Sequence, residues 1–182
     1  IDLKNFTYLE KVVIRDLLCC YFIAALVATF LFKPIIVDGK SMYPTLHDGD
    51  VGFSSIIGLN LGDIDRFDIV VVEEEGELLI KRVIGLPGEY IEYKNDVLYI
   101  NGKIVEEDFL DNDFVKEMKL IYNSQCFTDD FVYQVADDEI FVLGDNRKES
   151  SDSRVYGGFK LNDIVGVNGF VYYPISRFKF LN

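Results

Sequence analysis

The uncharged run LLCCYFIAALVATFLF, residues 17–32, restricts the fold more than any other part of the chain. It cannot face water along its whole length, and it approaches the roughly 20 apolar residues that a membrane-crossing helix needs. Lys33 can snorkel its amine to the interface, and residues 35–37 add apolar length. The run therefore reads as a single transmembrane helix. A cleavable leader would end in a small-x-small site, whereas this run ends in Phe30, Leu31, Phe32, Lys33 and Pro34. Lys4, Lys11 and Arg15 precede it and Lys33 and Lys40 follow, which places the amino end in the cytoplasm.

After Pro34 the pattern changes to short apolar alternations broken by turns, as in DIVVVEEEGELLIKRVIGLPGEYIEY, DVLYINGKIV and DEIFVLGDN. These predict strands of about five residues in a mostly antiparallel β domain with few helices. Residues 1–33 are expected to form a short cytoplasmic tail and anchor, and residues 34–182 one folded domain outside. The acidic stretch 105–138 has the poorest periodicity and reads as an inserted, surface-exposed lobe. A net charge of −13 argues against nucleic acid as a partner, because phosphate backbones reward clustered cations. Cys19 and Cys20 are neighbours in the apolar run and Cys126 stands alone, so no disulfide framework follows.

The stretch DGKSMYPTLHDGD, residues 38–50, holds a serine on a constrained turn and the only histidine of the chain. If residues 35–41 are extended, Ile35, Val37, Gly39 and Ser41 share one face. That gives an apolar strand edge ending in a hydroxyl, able to receive an extended peptide by strand addition. A serine hydroxyl is a poor nucleophile until a base takes its proton. His47 lies six residues away in an acidic loop, would need a tight reversal to reach back, and reads as a solvated loop residue. Lys81, in ELLIKRVIGLPGE, is the other candidate. On a strand it shares a face with Leu79 and Val83, while Arg82 points away with Ile80 and Ile84. Burial can strip a lysine of its proton and cannot do so to an arginine.

A third stretch, FVLGDNRKESSDSR at 141–154, carries more hydrogen-bonding capacity than a turn needs. Taken in order, GKSMYPTL, IKRVIGLPGE, YINGK and LGDNRKESSDSR resemble the bacterial type I signal peptidases, membrane-bound Ser-Lys endopeptidases that remove secretory signal peptides. The resemblance runs from the anchor to YYP at 172–174.

What the resemblance implies is specific. Ser41 is the acylated nucleophile, Lys81 its base, and Ser150 the loop serine that hydrogen-bonds and orients the lysine. Asp152 and Arg154 form a supporting ion pair, with Asp145 and Arg147 as further support in the same loop, and the Ser41 N–H helps hold the oxyanion. Ile35, Val37, Gly39, Met42, Leu46, Leu79 and Ile80 line the substrate site, with pockets for small residues at −1 and −3. The implied fold is an antiparallel β catalytic core carrying a smaller, variable β lobe, with no metal or cofactor. The implied partners are signal peptides of preproteins, the lipid bilayer and the secretion translocon, and the active site works outside the cytoplasm.

Gly39 carries no hydroxyl where some members of that family place Ser or Thr, Phe67 stands where glycine is usual, Ala136 stands where proline is, and Lys40 is an unusual neighbour for the nucleophile. The apolar loop FSSIIGLNL, residues 53–61, is expected near the membrane surface. Two rival functions are weaker. A self-cleaving repressor-type Ser-Lys peptidase has no reason for an anchor, and no Ala-Gly cleavage site is present. A catalytically inactive tethered homologue would not need Ser41, Lys81 and Ser150 intact.

Overall fold

The computed structural model describes residues 8–56 and 64–181. Helix α1 (Tyr8–Leu31) has 24 residues, about 36 Å at 1.5 Å per residue, against about 30 Å of bilayer hydrocarbon. Its segment Glu10–Leu31 is long and apolar enough to cross a membrane, and none of the apolar window is buried. The length is gained on the amino side. Residues 35–37 do not extend the helix as expected, because β1 (Phe32–Ile36) begins directly after Leu31 and pairs antiparallel with β2 (Val51–Ser55).

The β strands that follow are β3 (Ile69–Glu74), β4 (Glu77–Gly85), β5 (Tyr90–Lys94), β6 (Val97–Ile100) and β7 (Lys103–Val105). Helix α2 (Asn112–Ile121) comes next, then β8 (Phe131–Gln134), β9 (Glu139–Leu143) and the short α3 (Ser153–Tyr156). The chain closes with β10 (Phe159–Lys160), β11 (Ile164–Tyr173) and β12 (Lys179–Leu181). Eight strands form one antiparallel sheet in the order β1-β2-β11-β3-β4-β9-β10, with β12 also on β11. The other four form a second sheet, β7-β6-β5-β8.

The mostly antiparallel β architecture with a smaller lobe is the one expected. The lobe, however, starts at Tyr90 rather than at 105, because β5 and β6 alternate like core strands and no composition break marks their change of sheet. Within it, residues taken as unpatterned form α2, whose first turn is capped by the Asp111 carboxylate accepting from the N–H groups of Asp113 and Phe114. The apolar loop 53–61 is partly corrected as well. Phe53, Ser54 and Ser55 belong to β2, and residues 57–63 lie outside the described residues.

Alternation along β3 places Ile69 and Val71 in one apolar cluster and Val70 and Val72 in another, so the large sheet is buried on both faces. A third cluster, from Ile84 and Phe141 to Ile91, Tyr93 and Leu98, welds the lobe to the main sheet. Phe67 adopts φ 77°, the left-handed conformation that favours glycine. That cost, of order 1–3 kcal/mol, is offset by its ring against Phe109 and by backbone bonds to Val83 and Arg82.

Strands β2 and β11 cross so closely that a Cβ on Gly169, itself at φ 134°, would lie 1.9 Å from the carbonyl oxygen of Phe53. Gly169→Ala must push two paired backbones apart, so it should destabilise the protein by about 3 kcal/mol and lower the melting temperature by about 6 °C or more. A thermal melt in detergent that matches wild type would contradict this crossing.

Candidate active site

The turn carrying Ser41 is closed by backbone bonds: the Val37 N–H donates to the Asp50 carbonyl at 2.8 Å and the Gly49 N–H to the Val37 carbonyl at 2.9 Å. Gly39 ends the extended stretch at φ 87°, so the expected shared face reaches Val37 but not Ser41. The same φ accounts for the missing hydroxyl at position 39: a side chain would meet no atom there, but the backbone is strained for anything but glycine. Ser41 then starts a tight turn, in which the Leu46 N–H donates to the Met42 carbonyl at 2.7 Å. Asp50 is fully buried and anchors this turn. Its carboxylate accepts from the His47 N–H and from Arg177 Nε, both under 3 Å. Nothing in the sequence pattern had singled out Asp50.

Lys81 sits in β4 opposite Val70, on the face of Leu79 and Val83 as the alternation predicts. Its Nζ donates to Ser41 Oγ at 2.9 Å and to the Ile80 carbonyl at 3.2 Å. The side chain is 3% exposed. Burial pulls its pKa from 10.5 down to about 8, against the opposing pull of the Asp152 carboxylate. Among the described residues His47 has no hydrogen bond to Ser41 or Lys81. It is half-buried rather than solvated, packed edge-on against Tyr43 with ring centroids 4.9 Å apart.

The catalytic-loop candidates assemble around Gly144. The Asn146 N–H donates to the Ser41 carbonyl at 2.9 Å, and the Gly144 N–H to the Asp152 carboxylate at 3.0 Å. A Cβ on Gly144 would strike both Ser150 Oγ and the Ser41 carbonyl, so only glycine fits between them. Asp152 is fully buried. Burial pushes its pKa up, but the Arg154 guanidinium, bonded to both carboxylate oxygens, and the Gly144 N–H outweigh that and hold it below the ordinary value. The expected contact from Ser150 to the lysine is not made among the described residues: Lys81 bonds Ser41 and Ile80 instead, and the buried Ser150 hydroxyl lies by the Asp152 carboxylate, which it helps hold below its ordinary value.

Asp145 takes two hydrogen bonds from Arg82, both 2.8 Å, and that guanidinium lies 4.1 Å from the Phe109 ring centroid. Arg147, wholly buried, donates to the Gly144 carbonyl and to Tyr93, Thr128 and Glu107 of the lobe. Those three lobe residues were missed. The signal was present, since an arginine beside a buried strand needs a carboxylate and the acidic stretch supplies one.

Of the expected substrate-binding residues, Ile35, Val37, Met42 and Leu46 form one apolar cluster, with Ile80 packed on it. Leu79 is consecutive with Ile80 and therefore on the other face, against Val70, Val72 and Val83. The set is thus divided by the strand, with Leu79 on the lysine's side.

A serine hydroxyl against a shielded lysine amine, at the rim of an antiparallel sheet, is the equipment of a serine peptidase. The family described as signal peptidase, peptidase S26, matches residues 11–173, and the chain belongs to it. Signal peptidase I S of Bacillus subtilis (strain 168) is 43% identical over 162 residues, 88% of this chain and 87% of that protein. Signal peptidase I T of the same organism is 41% identical over 183 residues, 97% of this chain and 91% of that one. A crystal structure of a signal peptidase I from Enterococcus faecalis V583 is 37% identical with a TM-score of 0.49, covering 58% of this chain and 96% of that one.

Lys81 also sets a stability gradient. Below pH 8 the folded state holds a buried ammonium, at a cost of about 3 kcal/mol for a shift from 10.5 to about 8. As pH rises from 8 towards 10.5, the folded state sheds the proton that the unfolded chain keeps, and the cost disappears. Lys81→Met should therefore be more stable than wild type at pH 7, by about 1–3 kcal/mol. Urea titrations should show the gap closing as pH approaches 10, whereas a Lys81→Met variant weaker than wild type at pH 7 would contradict the shielded-amine geometry.

Proposed function

We propose that this protein is a membrane-bound endopeptidase that cleaves amino-terminal signal peptides from secreted preproteins after small residues at −1 and −3. The observation that carries the reading is the 2.9 Å contact between Ser41 Oγ and a lysine amine shifted to about 8 by burial. Residues 1–33 serve as tail and anchor, with the amino end cytoplasmic, and residues 34–182 form the domain outside. The bilayer and the translocon that delivers preproteins are its surroundings.

With Lys81 neutral, the contact reverses direction and the Ser41 hydroxyl donates to the amine lone pair. Ser41 Oγ attacks the scissile carbonyl carbon as its proton passes to Nζ. The Ser41 N–H has no hydrogen bond among the described residues and is free to take the developing oxyanion. The ammonium then protonates the leaving nitrogen, the C–N bond breaks, and the signal peptide stays esterified to Ser41. Lys81 next takes a proton from water, which attacks the ester and frees the serine. Arg154 and Asp152 hold the loop that seats Gly144. The apolar cluster of Ile35, Val37, Met42 and Ile80 is closed to bulk, which favours small side chains next to it. Ser150 supports the lysine through the same loop.

Ser41→Ala and Lys81→Ala should each lower cleavage of a preprotein at least about a thousandfold while the fold survives, because the two groups act as a unit. The acidic limb of the kcat/KM profile should rise with pH through about 8, where Lys81 loses its proton. Near-normal turnover in either variant, or a limb at the histidine value of about 6.5, would sink the assignment. A preprotein with Phe at −1 should be a poor substrate.

A further inference from the structure

The lobe holds an open cleft of about 570 Å³ that no step of the reaction uses. Its apolar lining comes from Leu98 of β6, Ile104 and Val105 of β7, Leu110, and Val115 of α2. Ile104 is exposed, and β7 is the outer strand of the small sheet, with no strand on its free side among the described residues.

We infer that this cleft binds an extended basic segment of a separate partner polypeptide, which lies along β7 with apolar side chains in the cleft and a Lys or Arg against Glu106 and Asp108.

Charge selects the occupant. Four carboxylates line the cleft, and two of them are matched by cations. Asp96 is paired with Lys119 and also accepts from the N–H groups of Phe127 and Thr128. Glu107 is paired with the buried Arg147. Glu106 and Asp108 are exposed and have no ion pair or hydrogen bond among the described residues. Next to the lining, Lys103 and Asp111 offset each other, since Asp111 keeps its charge while it caps α2 with neutral donors. The cleft is left with two unmatched negative charges beside apolar walls, which suits a cation flanked by apolar side chains.

Backbone sets the conformation. Strand β7 is held only from the β6 side among the described residues, with Lys103 opposite Ile100, Ile104 opposite Tyr99 and Val105 opposite Leu98. Its outer side offers N–H and C=O groups to an incoming strand. An extended segment there turns alternate side chains toward the cleft.

Helix α2 sets this surface apart from the chain being cut. Phe114 and Met118 face the nucleophile turn, where the Phe114 ring meets Tyr43 at 5.1 Å. Asn112, Val115 and Lys119, at helical spacing on another face of α2, line the cleft. Glu107 stays on Arg147, so the loop around Gly144 keeps its support when the cleft is filled.

The test uses the full chain in detergent micelles and short dye-labelled peptides that alternate Val with Lys, Val with Ser or Val with Glu, followed by fluorescence anisotropy. The Val-Lys peptide should bind saturably, more tightly than the other two, and weaken as salt rises. Glu106→Gln combined with Asp108→Asn should weaken it about tenfold, the scale of two exposed ion pairs. Ile104→Ser should weaken it as well, and all three positions are exposed, so the fold survives. Glu75→Gln combined with Glu77→Gln, exposed at the β3–β4 turn, should leave binding unchanged and controls for the net charge of −13. Bound peptide should also leave the KM for a preprotein unchanged. Equal weakening by the two carboxylate pairs, a Val-Ser peptide bound as tightly as Val-Lys, no saturable binding, or a KM that rises with peptide occupancy would each overturn the cleft assignment. Binding is read without cleavage, so the peptidase reading stands or falls separately.

Discussion

A lysine amine can serve as a base only while something keeps it from holding its proton, and in this chain the packing around β4 weakens the hold of Lys81 on its own. Lys81 reaches Ser41 across 40 positions of sequence. Both ends of that contact are held by backbone: the lysine by its register against Val70, the serine by its carbonyl on the Asn146 N–H. The surrounding apolar clusters exclude the water that would restore the charge. Folding stability is spent on this, since an ammonium in that position is less favourable than a methionine thioether would be.

The support of the loop is a set of buried charges that are all paired. Arg82 with Asp145, Arg154 with Asp152 and Arg147 with Glu107 surround Gly144 from separate directions. Buried pairs of this kind add little net stability compared with apolar packing, but removing one partner is costly, which favours a single arrangement. Arg147 is the member that crosses between sheets. Through it the lobe is part of the active-site scaffold, not an appendage to it.

The Ser41–Lys81 contact was legible because alternation decides which strand residue faces inward, and only one of the adjacent cations can lose a proton. The strands of the main sheet were legible for the same reason. The lobe boundary was not, since β5 and β6 follow the same period of two as β4. Helix α2 was hidden in an acidic stretch whose helical signal is one capping aspartate and few buried residues. Asp50 could not be recognised from sequence, as its role depends on Arg177 arriving from 127 residues away, whereas Glu107 was signalled only as one unspecified carboxylate of the acidic stretch, 40 residues from Arg147. Ser150 was placed in the right loop, but its hydroxyl lies beside Gly144 without the lysine contact.

Helix α1 passes into β1 without an intervening residue, and the Ile56 N–H donates to the Leu31 carbonyl at the joint. With α1 in a bilayer, such a joint works as a rigid post and not as a leash. The serine would then stand at one height above the lipid, and a peptide bond would have to be brought to that height to be cut. Distance from the membrane would act as a ruler, and a scissile sequence buried deeper or carried further out would go unread however well its side chains fit.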